Sequence, residues 1–304
     1  MDKVVSILVP VYNGEKYITK LYECLKGQTY PYYEVIFVDD FSTDKSVDII
    51  CGIEKFDSRV KLVNRKTKGG TAAKGYEYGI PYCSGDYLLC VTQDDWIDAD
   101  FLEKCIYTAD QKKADIVIPN VILYYSNGKA MKHGMYPING DYVSEIEPQE
   151  AFIASLNWNL AGNIFVKMDI VKKIGFTADY YNSCEFYFRR MYLEAKRIVF
   201  CNTNFYYYQG NENAITHQFH YFQIDVVTTD LMLLEIMRKK NMPLDKQKEQ
   251  LIRIKKLWQG WIKSYLFADM NKQEKKYVKK SLVDNGKKLM RYWYKIYVKR
   301  KECE

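Results

Sequence analysis

The chain has 304 residues, of which 48% are hydrophobic and 27% are charged, and its formal net charge is +7. This balance excludes an intrinsically disordered chain, and the length suits one large domain or one domain with an extension. Eight scattered cysteines without a CxxC pair argue against a disulfide or zinc framework. We expect a cytoplasmic protein, because the sequence shows neither a signal peptide nor an apolar stretch of about 18 residues.

Strand and helix patterns alternate over the first half of the chain. Continuous apolar runs at residues 4–9, 34–38, 59–63 and 86–91 predict buried strands, and apolar side chains at helical spacing follow them, as at residues 15–26. Buried strands that alternate with helices are typical of a mostly parallel sheet covered on both faces. The sequence therefore predicts an α/β fold.

Polar side chains follow three of these strands at the point where each strand ends. Tyr12 follows the first strand, Asp39 and Asp40 follow the second, and Asp94 and Asp95 follow the fourth. Because the carboxyl ends of parallel strands meet at one edge of a sheet, we expect these side chains to converge at a ligand site. Carboxylates gathered there can hold a divalent cation, which would neutralise a diphosphate.

The second half of the chain is less regular and ends in helices. Two strand-like runs at residues 197–201 and 205–208 precede helical patterns. Residues 238–304 contain 21 Lys and Arg against 7 Asp and Glu, whereas the rest of the chain contains 24 against 31. We therefore predict a first domain over residues 1–220 and a basic helical extension over residues 221–304.

Five short motifs follow one another along the first two thirds of the chain. In chain order they are SILVPVYN at residues 6–13, QTY with VIFVDDFSTD at residues 28–44, KGGTAA at residues 68–73, GDYL with QDDW at residues 85–96, and YYY with Asn211 and AIT at residues 206–216. In this order they resemble the family 2 glycosyltransferases, which have the nucleotide-binding GT-A fold. The resemblance implies inverting, metal-assisted transfer of a hexose-type sugar from a nucleotide-sugar, expected to be a UDP-sugar, to a saccharide or lipid-linked saccharide in surface polysaccharide assembly.

The resemblance assigns the nucleotide-sugar donor to residues at the strand ends. Pro10 and Tyr12 stand at positions that hold the base and the ribose, and the carboxylate of Asp40 can accept the uracil N3–H. Lys74 lies in the loop whose basic residue meets the diphosphate in the family. A helix cap is the alternative for Asp40.

The resemblance also places a divalent metal, Mn²⁺ or Mg²⁺, at Asp94. Thr92 stands where the family often has a further aspartate, so this chain brings one charge fewer to the metal. His217 could reach the metal or the diphosphate, with a surface histidine as the alternative. Asp95 is expected to support the donor or to cap the following helix.

An inverting transfer needs a general base that takes the proton from the acceptor hydroxyl. The family places a carboxylate at the start of a helix, and this chain has Cys184 and Glu185 where an Asp-Glu pair is usual. We expect Glu185 to be the base, and the alternative is a charge favoured there by the helix dipole. Trp158, Asn159 and Asn163 occupy the region that lines the donor sugar and acceptor in relatives, although Trp158 could instead belong to the core.

The basic helical extension interleaves its lysines with tryptophan and tyrosine side chains. Basic amphipathic helices of this kind suit an anionic membrane surface, so we expect peripheral contact with the inner face of the cell membrane. Packing on the first domain and a homodimer contact are the alternatives. Nucleic acid is not expected as a partner, because none of the five motifs supports it.

Two other functions compete with sugar transfer. A sugar-nucleotide nucleotidyltransferase would carry a basic residue in a Gly-rich loop after the first strand, and residues 10–15 contain no basic residue. A non-catalytic member of the family would bind a nucleotide and transfer nothing, and the departures at Thr92 and Cys184 favour that alternative.

Overall fold

The computed structural model describes residues 3–134, 142, 144–160, 162 and 164–298. The chain divides into two compact units, and two segments contribute to each. The first unit consists of Met1–Ala178 and Tyr187–Glu212, and the second consists of Asp179–Phe186 and Asn213–Glu304. The division between residues 220 and 221 stays a prediction.

One mixed β-sheet forms the centre of the first unit. Its described strands are β1 (Val5–Val11), β2 (Tyr33–Asp39), β3 (Val60–Asn64), β4 (Tyr87–Cys90), β5 (Trp96–Ile97), β6 (Ile116–Tyr124), β7 (Ala130–His133), β8 (Glu145–Ile146), β9 (Phe165–Lys167) and β10 (Ile198–Tyr208). They follow the order β3-β2-β1-β4-β9-β6-β10-β5, with β7 beside β6 and β8 beside β10. The strands β1 to β4 pair in parallel, as predicted, whereas β9 runs antiparallel between β4 and β6.

The helices of this unit bury one apolar face each. They are α1 (Ile18–Lys26), α2 (Ser46–Phe56), α3 (Ala72–Gly79), α4 (Phe101–Lys112), α5 (Pro148–Ser155), α6 (Met168–Ile174) and α7 (Ser183–Glu194), whose first turn belongs to the second unit. Helix α1 buries Ile18, Leu21 and Leu25, which are spaced by three and four residues and belong to the main hydrophobic core. Burial of each such side chain contributes about 1.5–3 kcal/mol.

The register of the parallel strands decides which residues meet at the carboxyl edge of the sheet. Val11 pairs with Asp39, and Leu8 pairs with Cys90. The segments that follow β1 and β2 therefore leave the sheet at the same level, and β4 ends opposite a residue three positions before the end of β1. Asp39 ends β2 and Asp40 begins the segment after it, while Asp94 and Asp95 lie in the segment after β4. Both aspartate pairs thus lie at the carboxyl edge, and their role in a ligand site stays a prediction.

Strand β10 is one continuous strand, which corrects the prediction of two strands at residues 197–201 and 205–208. Its middle residues are polar and interrupt the apolar pattern, and its register with β6 shifts between Phe200 and Asn204. The Asn204 side chain donates a 2.7 Å hydrogen bond to Asp98. In the sequence, Asn204 looks like the end of a strand. In the structure, its hydrogen bond to the distant Asp98 allows it to lie inside the strand.

The second unit is mainly helical in the part that is described. A short 3₁₀ turn, Tyr221–Ile224, precedes α8 (Asp225–Lys239), α9 (Leu244–Phe267) and α10 (Lys272–Tyr297). Helix α10 begins with a capping box, in which Asn271 and Glu274 each accept the other's backbone N–H at 3.0 and 2.8 Å. None of the described helices combines the length and hydropathy that crossing a bilayer requires.

Candidate functional site

The carboxyl ends of β1 and β4 are joined by a pair of hydrogen bonds. The backbone N–H of Tyr12 donates to Gln93 Oε1, and Gln93 Nε2 donates to the Tyr12 carbonyl, both at 3.0 Å. The Tyr12 ring is 43% exposed. Lys68 Nζ donates to its hydroxyl at 3.0 Å and lies 4.5 Å from the ring centroid. This edge therefore offers an exposed aromatic face with a cation beside it.

Asp40 holds the glycine-rich turn against the end of β2. Its two carboxylate oxygens accept the backbone N–H groups of Gly69 and Gly70, both at 2.6 Å. Arg65 Nε lies 3.3 Å from Asp40 Oδ1, and both side chains are buried. Since α2 begins only at Ser46, Asp40 is not a helix cap.

Gly69 and Gly70 each have a physical reason to be glycine. A Cβ at Gly69 would come 2.2 Å from Arg65 Nη1 and 2.6 Å from Lys74 Cβ, so a side chain there would push the turn off the guanidinium. Gly70 has a φ of 74°, which side chains other than glycine rarely adopt. The turn then leads into α3, where the Thr71 hydroxyl accepts the N–H of Lys74 at 3.3 Å.

Pro10 lies near the end of β1, and Lys74 lies in α3, the helix that follows this turn. A Cβ at Gly75 would come 2.6 Å from Pro10 Cβ, so α3 packs directly on the end of β1. Lys74 Nζ forms an ion pair with Glu77 Oε2 at 3.0 Å. The structure thus gives Lys74 a carboxylate partner within its own helix, and its contact with a diphosphate stays a prediction.

The two aspartates after β4 differ in their surroundings. Asp94 is half-buried, and its Oδ2 accepts a 2.6 Å hydrogen bond from Asn211 Nδ2. Asp95 is buried, where its Oδ1 accepts the N–H of Tyr208 at 2.9 Å and its Oδ2 bonds the Thr92 hydroxyl. Burial, and then the charge of Asp94, raise the pKa of Asp95 well above its usual range. Asp95 is therefore part of the loop framework, and Asp94 is the more accessible carboxylate.

The donor set at Asp94 fits a metal that is held together with a diphosphate. Within the described part of the chain, no three His, Cys, Asp or Glu side chains lie close enough to hold a metal ion by themselves. Mg²⁺ is commonly bound through one or two carboxylates, waters and substrate phosphates. Asp94 suits that arrangement, with Asn211 orienting its carboxylate.

The sequence alone assigns no role to several residues of this edge, among them Arg65, Asn211 and Tyr17. Arg65 directly follows β3, so the strand-end argument applied to β1, β2 and β4 would have found it. Asn211 belongs to a recognised motif, but only the structure shows its bond to Asp94. Burial, and then the charge of Asp94, raise the pKa of the Tyr17 hydroxyl.

The residues predicted to contact the donor sugar and acceptor are only partly described. Trp158 is 38% exposed, has a φ of 64°, and lies with its ring centroid 5.3 Å from the Arg189 guanidinium carbon, so it is not a core residue. Asn159 is exposed next to it. Asn163 lies outside the described residues.

Glu185 and His217 belong to the second unit, whereas Asp40 and Asp94 belong to the first. Glu185 lies half-buried in the first turn of α7, and its backbone N–H donates to the Asn182 carbonyl at 3.0 Å. His217 is exposed in a turn. Glu185 thus lies at a helix start, and its role as the general base stays a prediction.

A separate surface pocket of about 660 Å³ lies at the amino-terminal edge of the sheet. Lys3, Asp86 and Lys167 are among its lining residues, and none of the predicted site residues lines it. In α/β sheets ligands bind at the carboxyl edge, so this pocket does not compete with the site described above.

Comparison with known proteins gives one family. The family model described as Glycosyl transferase family 2 matches residues 6–175. Glycosyltransferase GlyG of Streptococcus pneumoniae serotype 4 is 31% identical over 225 residues, which cover 71% of this chain and 73% of GlyG. Poly(ribitol-phosphate) beta-N-acetylglucosaminyltransferase TarS of Staphylococcus aureus is 30% identical over 135 residues, which cover 43% of this chain and only 23% of TarS.

Solved structures agree on the fold. The crystal structure of S. aureus TarS 1–349 in complex with UDP-GlcNAc has a TM-score of 0.69 at 17% identity, over 100% of this chain and 93% of that one. Mannosyltransferase PcManGT from Pyrobaculum calidifontis, in complex with GDP-Man and Mn²⁺, has a TM-score of 0.55 at 14% identity, over 95% and 87% of the two chains. At these identities the likeness shows the GT-A fold alone.

Proposed function

Because this chain belongs to glycosyl transferase family 2, we propose that it transfers a hexose-type sugar from a UDP-sugar to a saccharide hydroxyl with inversion at the sugar carbon. The carrying observation is the convergence of Tyr12, the Asp40 turn and Asp94 at one carboxyl edge of the sheet. Membership in this family also removes the nucleotidyltransferase alternative. TarS, a relative by sequence, has a solved complex with UDP-GlcNAc, which supports a uridine diphosphate donor.

Pro10, Tyr12 and Asp40 hold the nucleoside in this proposal. The exposed Tyr12 ring offers a flat face, and Lys68 beside it brings positive charge towards a diphosphate. Each Asp40 oxygen already accepts one N–H, but a carboxylate oxygen has a second lone pair and can accept the uracil N3–H as well. The Arg65 guanidinium, 3.3 Å away, helps to hold that carboxylate in place.

Asp94 holds a divalent cation together with the donor diphosphate. Mn²⁺ or Mg²⁺ there would neutralise the charge that builds on the leaving UDP. The PcManGT complex with Mn²⁺ supports this choice of ion. Asp95, buried and bonded to Tyr208, shapes the loop that presents Asp94, and His217 is a further candidate ligand.

Glu185 acts as the general base. It takes the proton from the acceptor hydroxyl while the acceptor oxygen bonds to the anomeric carbon and the bond from that carbon to the UDP oxygen breaks on the opposite face. Glu185 lies in the first turn of α7, and a carboxylate at a helix start is what the family carries in this region, which supports this assignment. Cys184, where the family often has an aspartate, leaves Glu185 as the carboxylate of this pair.

The acceptor is a saccharide or lipid-linked saccharide of a surface polysaccharide. TarS of S. aureus is a poly(ribitol-phosphate) beta-N-acetylglucosaminyltransferase, which supports an acceptor of the cell-surface polymer class. Trp158 and Asn159, both exposed, can contact the donor sugar and the acceptor, and Asn163 remains a candidate on sequence grounds. An indole face covers the apolar face of a pyranose well.

Helices α8 to α10 bring this cytoplasmic enzyme to an anionic membrane surface. Helix α10 carries nine Lys and Arg against two Asp and Glu. Phe267, at the end of α9, is 85% exposed, and Met290 on α10 is 74% exposed. Attraction of about 1 kcal/mol for each basic residue near an anionic surface, with apolar side chains that can enter the interface, supports peripheral contact.

Vesicle flotation separates this docking from a homodimer contact. The protein should float with vesicles containing phosphatidylglycerol and stay behind with pure phosphatidylcholine, and Phe267→Ser should reduce flotation. If the protein floated with neither vesicle and sedimented as a dimer, the basic helices would be a homodimer contact and not a membrane-binding surface.

UDP release from UDP-N-acetylglucosamine and UDP-glucose, with Mn²⁺ present, tests the proposed reaction. Glu185→Gln should lower kcat by about 100-fold or more, because general-base catalysis contributes about 10²–10⁴-fold. Glu194→Gln, at the other end of the same helix and paired with Lys173, is the matched control and should keep wild-type turnover. Equal turnover in both variants would remove the base assignment, and no turnover by the wild type with any UDP-sugar would favour a non-catalytic protein.

A further inference from the structure

A buried carboxylate ties the segment before α7 to the last helix of the chain. Asp225, the first residue of α8, is 5% exposed. Its Oδ2 accepts the backbone N–H of Tyr181 at 3.1 Å, and its Oδ1 accepts the Tyr277 hydroxyl proton at 2.7 Å. One side chain of α8 therefore connects the backbone four residues before Glu185 to α10.

A second connection lies one helical turn further along α8. Asp225 and Thr229 are four residues apart and so share one face of the helix. The buried Thr229 hydroxyl donates to Asn182 Oδ1 at 2.8 Å. Two consecutive residues of the segment, Tyr181 and Asn182, are thus each held by α8.

The helices behind these contacts are themselves fixed by buried polar groups. Thr228 on α8 and Asn285 on α10 exchange hydrogen bonds of 3.0 and 3.2 Å, and Asn285 also donates to Ser281 at 3.0 Å. Sliding α10 along α8 would break several of these bonds at once, and a buried polar group that loses its partner destabilises the fold. This arrangement gives the segment one favoured position.

The segment itself is a closed turn that leads directly into α7. Ser183 Oγ accepts the Tyr180 N–H at 2.9 Å, and the Ser183 N–H donates to the Tyr180 carbonyl at 3.1 Å. Glu185 follows two residues later, with its own N–H on the Asn182 carbonyl. A displacement of Tyr181 or Asn182 would therefore carry the first turn of α7 with it.

We infer that Asp225, Thr229 and Tyr277 are positioning residues that fix the start of α7 and, through it, the carboxylate of Glu185. The inference rests on the proposed role of Glu185 as the base. It gives the C-terminal helices a part in the reaction, because a general base must sit within hydrogen-bond reach of the proton it removes. Burial raises the pKa of Asp225, and the hydrogen bond from the Tyr277 hydroxyl opposes this shift by stabilising the carboxylate.

Removal of single hydroxyl groups tests this inference with little other disturbance. Tyr277→Phe and Thr229→Val each delete one hydrogen bond, and the Tyr277 ring is partly exposed, so no core cavity forms. Tyr294→Phe, on the exposed side of the same helix, is the matched control, and Thr229→Ser keeps the hydroxyl. Each variant is assayed for UDP release from UDP-N-acetylglucosamine, for UDP affinity, and for hydrogen exchange of the 179–186 peptide.

The expected result is a fall in kcat without a loss of donor binding. Tyr277→Phe and Thr229→Val should lower kcat by about 10- to 100-fold, the effect of a misplacement of about 1 Å, and should speed exchange in the 179–186 peptide. KM for the donor and UDP affinity should stay within about twofold of wild type. Thr229→Ser and Tyr294→Phe should resemble the wild type. In a Glu185→Gln background, Tyr277→Phe should have no further effect on kcat, since both changes act through one carboxylate.

Three results would overturn the inference. Unchanged kcat and exchange in both hydroxyl deletions would show that the contacts do not position α7. An equal fall in kcat with and without Glu185→Gln would show that they act elsewhere. Full turnover by Glu185→Gln alone would refute the proposed base and this inference together. That single variant therefore distinguishes a failure of the proposed function from a failure of the positioning contacts.

Discussion

Replacing Asp40 by asparagine removes the charge that holds the glycine-rich turn. In the wild type both carboxylate oxygens accept backbone N–H groups, from Gly69 and Gly70, at 2.6 Å. An asparagine has one oxygen and one NH₂ group, so one of the two N–H groups would face another donor. The buried Arg65 guanidinium would also lose its carboxylate, 3.3 Å away.

The size of the effect follows from these two losses. Removing one partner of a buried ion pair costs about 3–5 kcal/mol, because the remaining charge is left without compensation. The lost hydrogen bond to a charged group, about 1.5–3 kcal/mol, overlaps with this figure since both belong to one carboxylate. We therefore expect Asp40→Asn to lower the free energy of unfolding by about 3–5 kcal/mol, a large share of the roughly 5–15 kcal/mol typical of folded proteins.

Urea unfolding followed by tryptophan fluorescence measures this change. Asp100→Asn is the matched control, because Asp100 pairs with Lys104 at 2.7 Å on the surface, where such a pair contributes about 0.5 kcal/mol or less. If the two variants lost equal stability, or if Asp40→Asn matched the wild type, the view that Asp40 is the anchor of the turn would be refuted.

Three further substitutions probe the same unit. Asn211→Ala should weaken Mn²⁺-dependent UDP binding by about tenfold, since Asn211 orients the Asp94 carboxylate, and calorimetry that showed wild-type affinity would contradict this. Gly69→Ala should lower both UDP affinity and the urea midpoint, because its Cβ would overlap the Arg65 guanidinium, and unchanged values would refute the clash. Hydrogen bonds from Arg59 lower the pKa of Asp57 to about 2, so the stability that Asp57 contributes is complete above pH about 4 and is lost as the pH falls towards 2. Asp57→Asn should reduce the loss of folding stability between pH about 4 and 2 by about 1 kcal/mol, a value limited by solvent screening. An unchanged loss in that pH range would exclude the Asp57–Arg59 pair as its source.

The strand ends could be predicted from the sequence because the signal there is local. Continuous apolar runs define β1, β2 and β4, and the first polar residues after them lie at the carboxyl edge by geometry. Asp40 and Asp94 were found in this way. The resemblance of the motifs then supplied the chemistry that periodicity alone does not contain.

The contacts of these residues could not be predicted, because the two residues of each contact lie far apart in the chain. Arg65 and Asn211 complete the surroundings of Asp40 and Asp94, and no spacing rule connects them. The same holds for the second unit, in which Asp179–Phe186 groups with the C-terminal helices. Asp225 contributes to that grouping through its contacts with Tyr181 and Tyr277. In the sequence, Asp225 looks like an ordinary acidic residue at a helix start.

Calorimetric titration of the full chain with UDP, with and without Mn²⁺, tests the central claim most directly. The proposed donor site predicts binding that Mn²⁺ strengthens, that Asp94→Asn abolishes, and that the control Asp100→Asn leaves intact. UDP binding that responded neither to Mn²⁺ nor to Asp94→Asn would contradict the proposed donor site, as would an absence of UDP binding under both conditions.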